Sequence, residues 1–155
     1  MSHGRFLRIA LDHARAAVAG GGYPIAAIIV NARGDVVGTG LNTVQVTGDP
    51  TAHAEVSAIR GAGPYLLAHA RSEALTLYTT CEPCVMCLGA ILKAEIAALV
   101  WAVGDRRGSA TKLLAGGGWL VNSWDALTIH AEPDAEVARE MRELEREWDR
   151  QRLVS

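Results

Sequence analysis

The sequence lacks an excess of positive charge and lacks any long hydrophobic run. Its formal net charge is -2 and its pI is about 6.2, so no overall positive field attracts it to nucleic acid or to anionic lipid. No stretch reaches the roughly 18 uninterrupted apolar residues of a membrane-spanning helix, and the first residues contain no apolar signal segment. We therefore expect a soluble, cytoplasmic protein whose partners are small molecules rather than membranes.

Cysteine is scarce and confined to one short segment. The three cysteines all lie between Cys81 and Cys87, which is too close together and too odd in number for a disulfide framework. Their placement favours metal binding or a catalytic role. Apolar residues, in contrast, make up 50% of the 155 residues. This is enough for one core and predicts a single domain over residues 1–155.

The spacing of apolar residues predicts alternating helices and strands. The predicted helices are 6–18, 51–60, 83–93 and 133–150, with a short helical turn over 112–115, and the predicted strands are 25–30, 36–41, 74–78, 96–103 and 126–130. The helix between the third and fourth strands predicts a right-handed parallel unit. This order of elements predicts an α/β fold in which helices cover a mixed sheet.

His53, Cys84 and Cys87 form a candidate zinc site. A catalytic zinc takes three nitrogen or sulfur ligands and keeps an open position for water, whose pKa it lowers. Cys84 and Cys87 are three residues apart in the helix that begins near Pro83, so they share a face at its positive end, where thiolates are favoured. We place His53 in the first turn of another helix, so that two helix N-termini converge on one ion.

Glu55 is the candidate catalytic residue. It lies two residues after His53, about 200° around an ideal helix, so the two side chains should not bind the ion from one face. A carboxylate beside metal-activated water can instead accept a proton and pass it on. H-x-E followed by P-C-x-x-C is the pattern of zinc-dependent base deaminases.

Each part of this pattern also has a structural interpretation. A histidine that opens a helix is often structural, and a glutamate in a first turn often serves the helix dipole. A C-x-x-C pair can be redox-active or can belong to a structural zinc site with two further ligands. Cys81 extends the pair to an iron–sulfur-like pattern, but no fourth cysteine exists. We expect Cys81 to be a packed residue at a strand end.

The segments DPTAHAE (49–55) and TCEPCVMCLGAI (80–91) closely resemble the cytidine and deoxycytidylate deaminase superfamily. The sequence of these segments is most similar to that of bacterial guanine deaminases and tRNA adenosine deaminases, and the resemblance extends over residues 23–105. It implies a three-layer α/β/α fold with a five-stranded mixed sheet, Zn²⁺ on the three ligands above, and a homodimer or larger oligomer. These motifs specify the superfamily but not the substrate.

The resemblance also implies substrate contacts. Asn42 would hydrogen-bond the base or sugar, main-chain groups of Ala54 and Cys84 would hold the ring, and Pro24 and Ile25 would pack under it. Asn42 equally fits an ordinary turn. The chain departs from the family at 24–27, because members usually have glycine or phenylalanine-glycine after the proline. We expect this difference to reshape the pocket floor.

Tryptophans in the last third of the chain are further candidates. Trp119 and Trp124 follow three glycines and could form a lid that stacks on the substrate, or could be core or dimer contacts. Trp148 and Asp149 resemble the C-terminal residues with which fungal cytosine deaminases close their pocket. The charged residues from Arg139 to Glu147 favour the alternative that this helix face is solvated.

The sequence thus predicts hydrolytic deamination of a free nucleobase or nucleoside with release of ammonia. We expect guanine or a related aminopurine as the substrate, and cytosine-type pyrimidines as the alternative. Deamination of tRNA adenosine stays open because of the same motifs and of Arg106, Arg107 and Lys112, although segment 105–112 only partly resembles the tRNA enzymes. A non-catalytic zinc module would need a fourth protein ligand, and only three residues have suitable spacing.

Overall fold

The computed structural model describes residues 2–105 and 127–153. Its helices are α1 (His3–Ala19), α2 (Val44–Thr47), α3 (Ala54–Gly61), α4 (Gly63–His69), α5 (Val85–Lys93) and α6 (Ala135–Leu153), and its strands are β1 (Ala26–Val30), β2 (Val36–Leu41), β3 (Thr76–Cys81), β4 (Ala98–Val103) and β5 (Thr128–Ala131). The four long predicted helices and the five predicted strands are confirmed, with ends that shift by up to three residues. The turn predicted at 112–115 lies outside the described residues.

The five strands form one mixed sheet in the order β2-β1-β3-β4-β5. β1 is antiparallel to both β2 and β3, whereas β3, β4 and β5 run parallel to one another. The predicted parallel pairing of the strands on either side of α5 is therefore confirmed. Because β3 and β4 run in the same direction, both end at the same edge of the sheet, and α5 begins beyond that edge.

Helices cover both faces of the sheet. Helices α3 and α5 pack with one face, around Leu77 and Leu99, whereas α1 and α6 pack with the other, around Ile28 and Val100. All five residues of β1 are buried, as expected for a strand with helices on both sides. The result is the three-layer α/β/α arrangement that the resemblance implies. Among the described helices, none has the length and apolar character that crossing a membrane requires.

Two short helices were not predicted. Helix α2 has four residues and buries none of them, and α4 has seven residues and buries only Leu66. Neither segment therefore shows an apolar repeat of helical period, which is the signal that identified the longer helices. Both lie close in sequence to α3, and α2 leads into the turn that precedes it.

Candidate metal centre

His53 stands at the entrance to α3 rather than inside its first turn. Residues 49–53 form a turn in which the Asp49 carboxylate accepts hydrogen bonds from the Thr51 amide at 2.8 Å and from the Thr51 hydroxyl at 2.7 Å. His53 is then the N-cap residue, with φ -73° and ψ 153°, and its carbonyl accepts the Ser57 amide. The predicted helix start at 51 was wrong because the Asp49 side chain stabilises a turn instead.

Cys84 occupies the same position on α5. It is the N-cap residue, with φ -70° and ψ 170°, so the helix begins at Val85 rather than at Pro83. Cys87 follows in the first turn and is fully buried, while Cys84 is partly exposed. The prediction that two helix N-termini converge on one point is confirmed, and two of the three candidate ligands, His53 and Cys84, lie at the caps themselves.

The three ligand atoms fit a tetrahedral zinc ion. Nδ1 of His53 lies 3.6 Å from Sγ of Cys84 and 3.5 Å from Sγ of Cys87. Ordinary zinc–sulfur and zinc–nitrogen bond lengths at a tetrahedral angle give a nitrogen-to-sulfur distance of about 3.6 Å. All three ligand atoms lie within 4.8 Å of one another, and within residues 2–105 and 127–153 no other group of three such side chains has this arrangement.

The pKa values of the two candidate thiol ligands shift in opposite directions. Hydrogen bonding to the Cys87 thiol, helped by backbone amides at the start of α5, lowers the pKa of Cys84 to about 5. The pKa of Cys87 is raised, because its proton is held against Cys84 and because it is buried. Burial also raises the pKa of the Cys81 thiol. Cys81 lies at the end of β3, outside the ligand group. The prediction that Cys81 is a packed strand-end residue is confirmed.

Glu55 is buried beside the ligands. Only 3% of its surface is exposed, and this burial raises the pKa of its carboxyl, while a hydrogen bond with Cys87 acts in the opposite direction. The ideal-helix angle between Glu55 and His53 does not apply, because His53 precedes the helix. Glu55 nevertheless lies outside the three-ligand group, where it can exchange protons without binding the ion.

These residues open onto a cavity of about 630 Å³. Of the predicted substrate contacts, Asn42 and Ile25 line it, together with His53, Glu55 and Cys84. Trp148 and Asp149, whose contribution the sequence left open, line it as well. Pro24 and Ala54 are buried and are not among its lining residues. Trp119 and Trp124 lie outside the described residues. The volume falls in the range of small-molecule sites.

Residues 1–103 match the family defined by the cytidine and deoxycytidylate deaminase zinc-binding region. The chain belongs to this family. The match includes Glu55 and the three candidate ligands His53, Cys84 and Cys87, and the family's zinc-binding region makes zinc the metal that these three ligands would hold. It ends at the last residue of β4, so the part of the cavity formed by α6 lies beyond it.

Relatives in the family differ in substrate. The chain is 47% identical over 103 residues to a guanine deaminase of Bacillus subtilis, and the aligned segment covers 66% of this chain and 65% of the relative. It is 41% identical over 106 residues to a tRNA-specific adenosine deaminase of Haemophilus influenzae, and that alignment covers 68% of this chain and 61% of the relative. The matched segments thus span less than two thirds of these relatives. A guanine deaminase structure from Nitrosomonas europaea superposes with a TM-score of 0.75 at 27% identity, covering 92% and 82% of the two chains.

This deaminase-family cavity also has acidic residues that sequence reasoning missed. Glu82, Asp105 and Glu145 line it, and Glu145 is only 4% exposed. The expectation of a solvated helix face was wrong at Glu145, because α6 turns this residue towards the protein. Its position continues the buried stripe of Val137 and Met141 at intervals of four residues. That interval was the signal that could have found it.

Asn42 combines the two roles considered for it. Its side-chain oxygen accepts a hydrogen bond from the backbone N–H of Val44 at 3.3 Å, as in an ordinary turn, and its backbone N–H donates to the Ile25 carbonyl at 2.9 Å. It is also 6% exposed and lines the cavity. The turn therefore holds an amide side chain at the edge of the cavity, with its backbone tied to the floor residue Ile25.

Proposed function

We propose that this chain is a zinc-dependent hydrolytic deaminase of a free aminated nucleobase, with guanine or a related aminopurine as its first substrate. The observation that carries the proposal is the buried Glu55 carboxylate beside a three-ligand cluster that opens onto one cavity. Three ligands leave a coordination position for water, which the fourth ligand of a structural zinc site would occupy. When bound, zinc would lower the pKa of its bound water to about 7.

Glu55 is the proton carrier in this proposal. Water contributes its oxygen to the amine-bearing ring carbon, Glu55 takes a proton at its carboxylate, and the carbon–nitrogen bond breaks as that proton reaches the leaving amine, which departs as ammonia. The position of Glu55 supports this role, because a carboxylate that is buried beside the three ligands and lines the same cavity is placed to accept a proton and pass it on.

The charges of the cavity support a free base over a phosphate-bearing substrate. Its described lining contains the carboxylates of Glu55, Glu82, Asp105, Glu145 and Asp149 and one guanidinium, that of Arg152. This excess of acidic over basic side chains disfavours a substrate that carries phosphate. The 47% identity to a guanine deaminase favours the same class of substrate.

Ammonia release by the zinc-loaded protein over a panel of substrates tests the proposal. The panel holds guanine, 2,6-diaminopurine, adenine and cytosine, each with its nucleoside and its nucleoside monophosphate. We expect the largest kcat/KM for an aminopurine base and the smallest for the monophosphates. Turnover of cytosine alone would identify a pyrimidine as the substrate. If no compound released ammonia, the proposal would be contradicted.

A second candidate is deamination of an adenosine in tRNA, supported by the 41% identity to a tRNA-specific enzyme. Its basic residues Arg106, Arg107 and Lys112 lie outside the described residues. Binding through phosphates weakens steeply as salt is added. Titration of tRNA at low salt and at physiological salt therefore tests this candidate, and absence of binding at low salt would dismiss it.

Assembly as a homodimer is a further part of the proposal. Val85 and Met86, which follow the ligand Cys84, are 50% and 38% exposed. Apolar side chains exposed together beside a site are the kind of surface that a second copy covers. Light scattering of the purified protein at several concentrations measures the mass directly, and a constant monomer mass would contradict this part.

A further inference from the structure

The three parallel strands end side by side, and the segments that follow them are joined by hydrogen bonds. The residues directly after β3, β4 and β5 are Glu82, Gly104 and Glu132. The backbone N–H of Gly104 donates to the Glu132 carboxylate at 2.8 Å. The next N–H, that of Asp105, donates to the Glu82 carboxylate at 3.4 Å. The chain that leaves β4 is therefore held between two carboxylates, one from each neighbouring strand end.

Glu132 has a backbone conformation that glutamate does not favour. Its φ is 45°, in the left-handed region, which costs free energy in a residue with a Cβ. Pro133 follows it, and the residue before a proline is normally extended. Strain of this kind persists only where surrounding contacts hold it, and it is concentrated at functional sites. The contacts of Glu132 are therefore a place to look for a functional role.

Three contacts hold Glu132 from different sides. Its backbone N–H donates to the Trp101 carbonyl of β4 at 2.9 Å. One carboxylate oxygen accepts the Gly104 N–H, and the other accepts a hydrogen bond from the Arg142 guanidinium of α6 at 2.6 Å. Because the ion pair fixes one oxygen, the other stays directed at Gly104. The Glu132 carboxylate thus joins α6 to the end of β4.

The backbone held in this way carries part of the cavity wall. Asp105 and Glu82 line the cavity that contains the candidate metal centre, whereas Glu132 is not among its described lining residues. Glu82 is only 7% exposed, and one residue separates it from the candidate ligand Cys84. Loss of the Glu132 carboxylate would release the Gly104 N–H and let Asp105 move relative to Glu82 and the cavity.

We propose that Glu132 is a positioning residue for substrate binding: its carboxylate fixes the backbone at Gly104, and that backbone fixes Asp105 in the wall of the cavity. Glu132 acts without touching the substrate. The inference rests on the proposed function and adds to it a residue from beyond the matched region 1–103. A displaced wall loses contacts that ground and transition states share, so the effect falls on KM rather than on kcat.

Glu132→Ala tests this role with a closely matched control. It removes both carboxylate contacts, and we expect KM for the preferred base to rise about 10-fold with kcat within about twofold. Glu95→Ala is the control, because Glu95 also has a positive φ, 56°, and also pairs with an arginine, Arg71. Glu95 is not among the described residues that line the cavity. Its substitution should leave KM unchanged.

A double variant tests whether Glu132 acts through Asp105. Asp105→Ala alone should raise KM, and adding Glu132→Ala should raise it by less than about twofold more, because both changes act on the same part of the wall. A purely structural role would instead lower stability and leave KM unchanged. Circular dichroism and zinc content verify that each variant is folded and loaded. Unchanged KM in Glu132→Ala, or effects of the two substitutions that multiply in full, would overturn the inference.

Amide hydrogen exchange tests the contact itself without a substrate. In Glu132→Ala, exchange at Gly104 and Asp105 should become about 10-fold faster or more, because a hydrogen bond to a charged acceptor is lost. Exchange at Val100, in the buried interior of β4, should keep the wild-type rate. Unchanged exchange at both Gly104 and Asp105 would overturn the inference.

A binding measurement keeps this result distinct from failure of the proposed function. Purine has no amino group to lose, so calorimetry can measure its affinity for the zinc-loaded protein without turnover. If the wild type releases no ammonia, the proposed function fails, and purine binding about 10-fold weaker in Glu132→Ala would still support the inference. Equal affinity in both proteins, or no purine binding by the wild type, would overturn it.

Discussion

Gly40 of β2 lies directly against the carbonyl of Ala54, the first residue of α3, with no space for a side chain between them. A Cβ on Gly40 would overlap that carbonyl and the Ala58 amide nitrogen. Both neighbours are backbone atoms, which cannot rotate away as a side chain would. This contact therefore sets the height of α3 above the sheet, and with it the positions of His53 and Glu55.

Gly40→Ala should destabilise the protein by about 1–3 kcal/mol, because an added methyl group forces the backbone of α3 away from the sheet. We expect activity to fall as well, since α3 carries Glu55. Urea unfolding at fixed zinc concentration measures the change. Gly89→Ala on α5 is the matched control, because nothing lies within 4 Å of its Cβ position; there alanine should stabilise the helix by about 0.5–1 kcal/mol. Equal effects at both positions would contradict the packing argument.

Glu55→Gln should keep the fold and the zinc content and lose deaminase activity by about 10²–10⁴-fold, since the amide fills the same space but cannot carry a proton. Metal analysis, circular dichroism and ammonia release measure the three properties. Glu143→Gln makes the same chemical change on the surface and should leave all three unaltered. Turnover of Glu55→Gln at the wild-type rate would remove Glu55 from the mechanism.

Cys84→Ala should lose zinc, and stability with it, because the ligands and the fold are coupled. Cys81→Ala makes the same change three residues earlier, at a buried position outside the ligand group. It should retain a full equivalent of zinc at a stability cost of about 1 kcal/mol for the lost packing. Zinc content after dialysis distinguishes the two, and loss of zinc from both variants would mean that Cys81 also supports the site.

Stability should decline in mild acid through His3. Its Nδ1 lies 3.2 Å from the Tyr78 hydroxyl, and its ring centroid lies 4.3 Å from that of His130. Burial first, and then the charges of His130 and of the N-terminus, lower the pKa of His3 below 6.5. The unfolded chain therefore binds more protons than the native state below that value, so the contribution of His3 is complete above it and is lost as the pH falls.

Urea unfolding between about pH 7 and about pH 5 measures this decline. His3→Gln should make the loss of stability shallower than in the wild type, because glutamine has no proton to take up. His130→Gln should do so in part, since it removes one of the charges that oppose protonation of His3. An identical decline in His3→Gln and the wild type would contradict the assignment.

Local pattern was sufficient to predict most of the fold. The ends of α1, β1 and β2 were predicted to within three residues. Helix α1 buries a regular apolar face, and β1 is a short apolar run that is buried throughout. The start of α3 was misplaced because the Asp49 side chain stabilises a turn, and α2 and α4 were missed because they bury almost nothing. These misses share one cause, since no periodic face marks them.

Some residues of the site were predicted from local sequence and others were not. His53, Cys84 and Cys87 were predicted because their spacing is specific to one chemistry, and their geometry agrees with it. The acidic wall was not predicted, because Glu82 and Glu145 meet only when β3 and α6 pack around the same cavity. In the sequence, Glu145 is one charge in a charged helix. Its burial depends on the sheet that α6 covers.

His53 and Cys84 are 31 residues apart in the chain, yet their ligand atoms lie 3.6 Å apart. An unfolded chain brings such distant residues together rarely, because closing the loop between them costs conformational entropy. That cost is met only after β3 has joined the sheet and α3 and α5 lie side by side. Uptake of the ion should therefore follow assembly of these elements, and where zinc is scarce it should mark the molecules that have already folded.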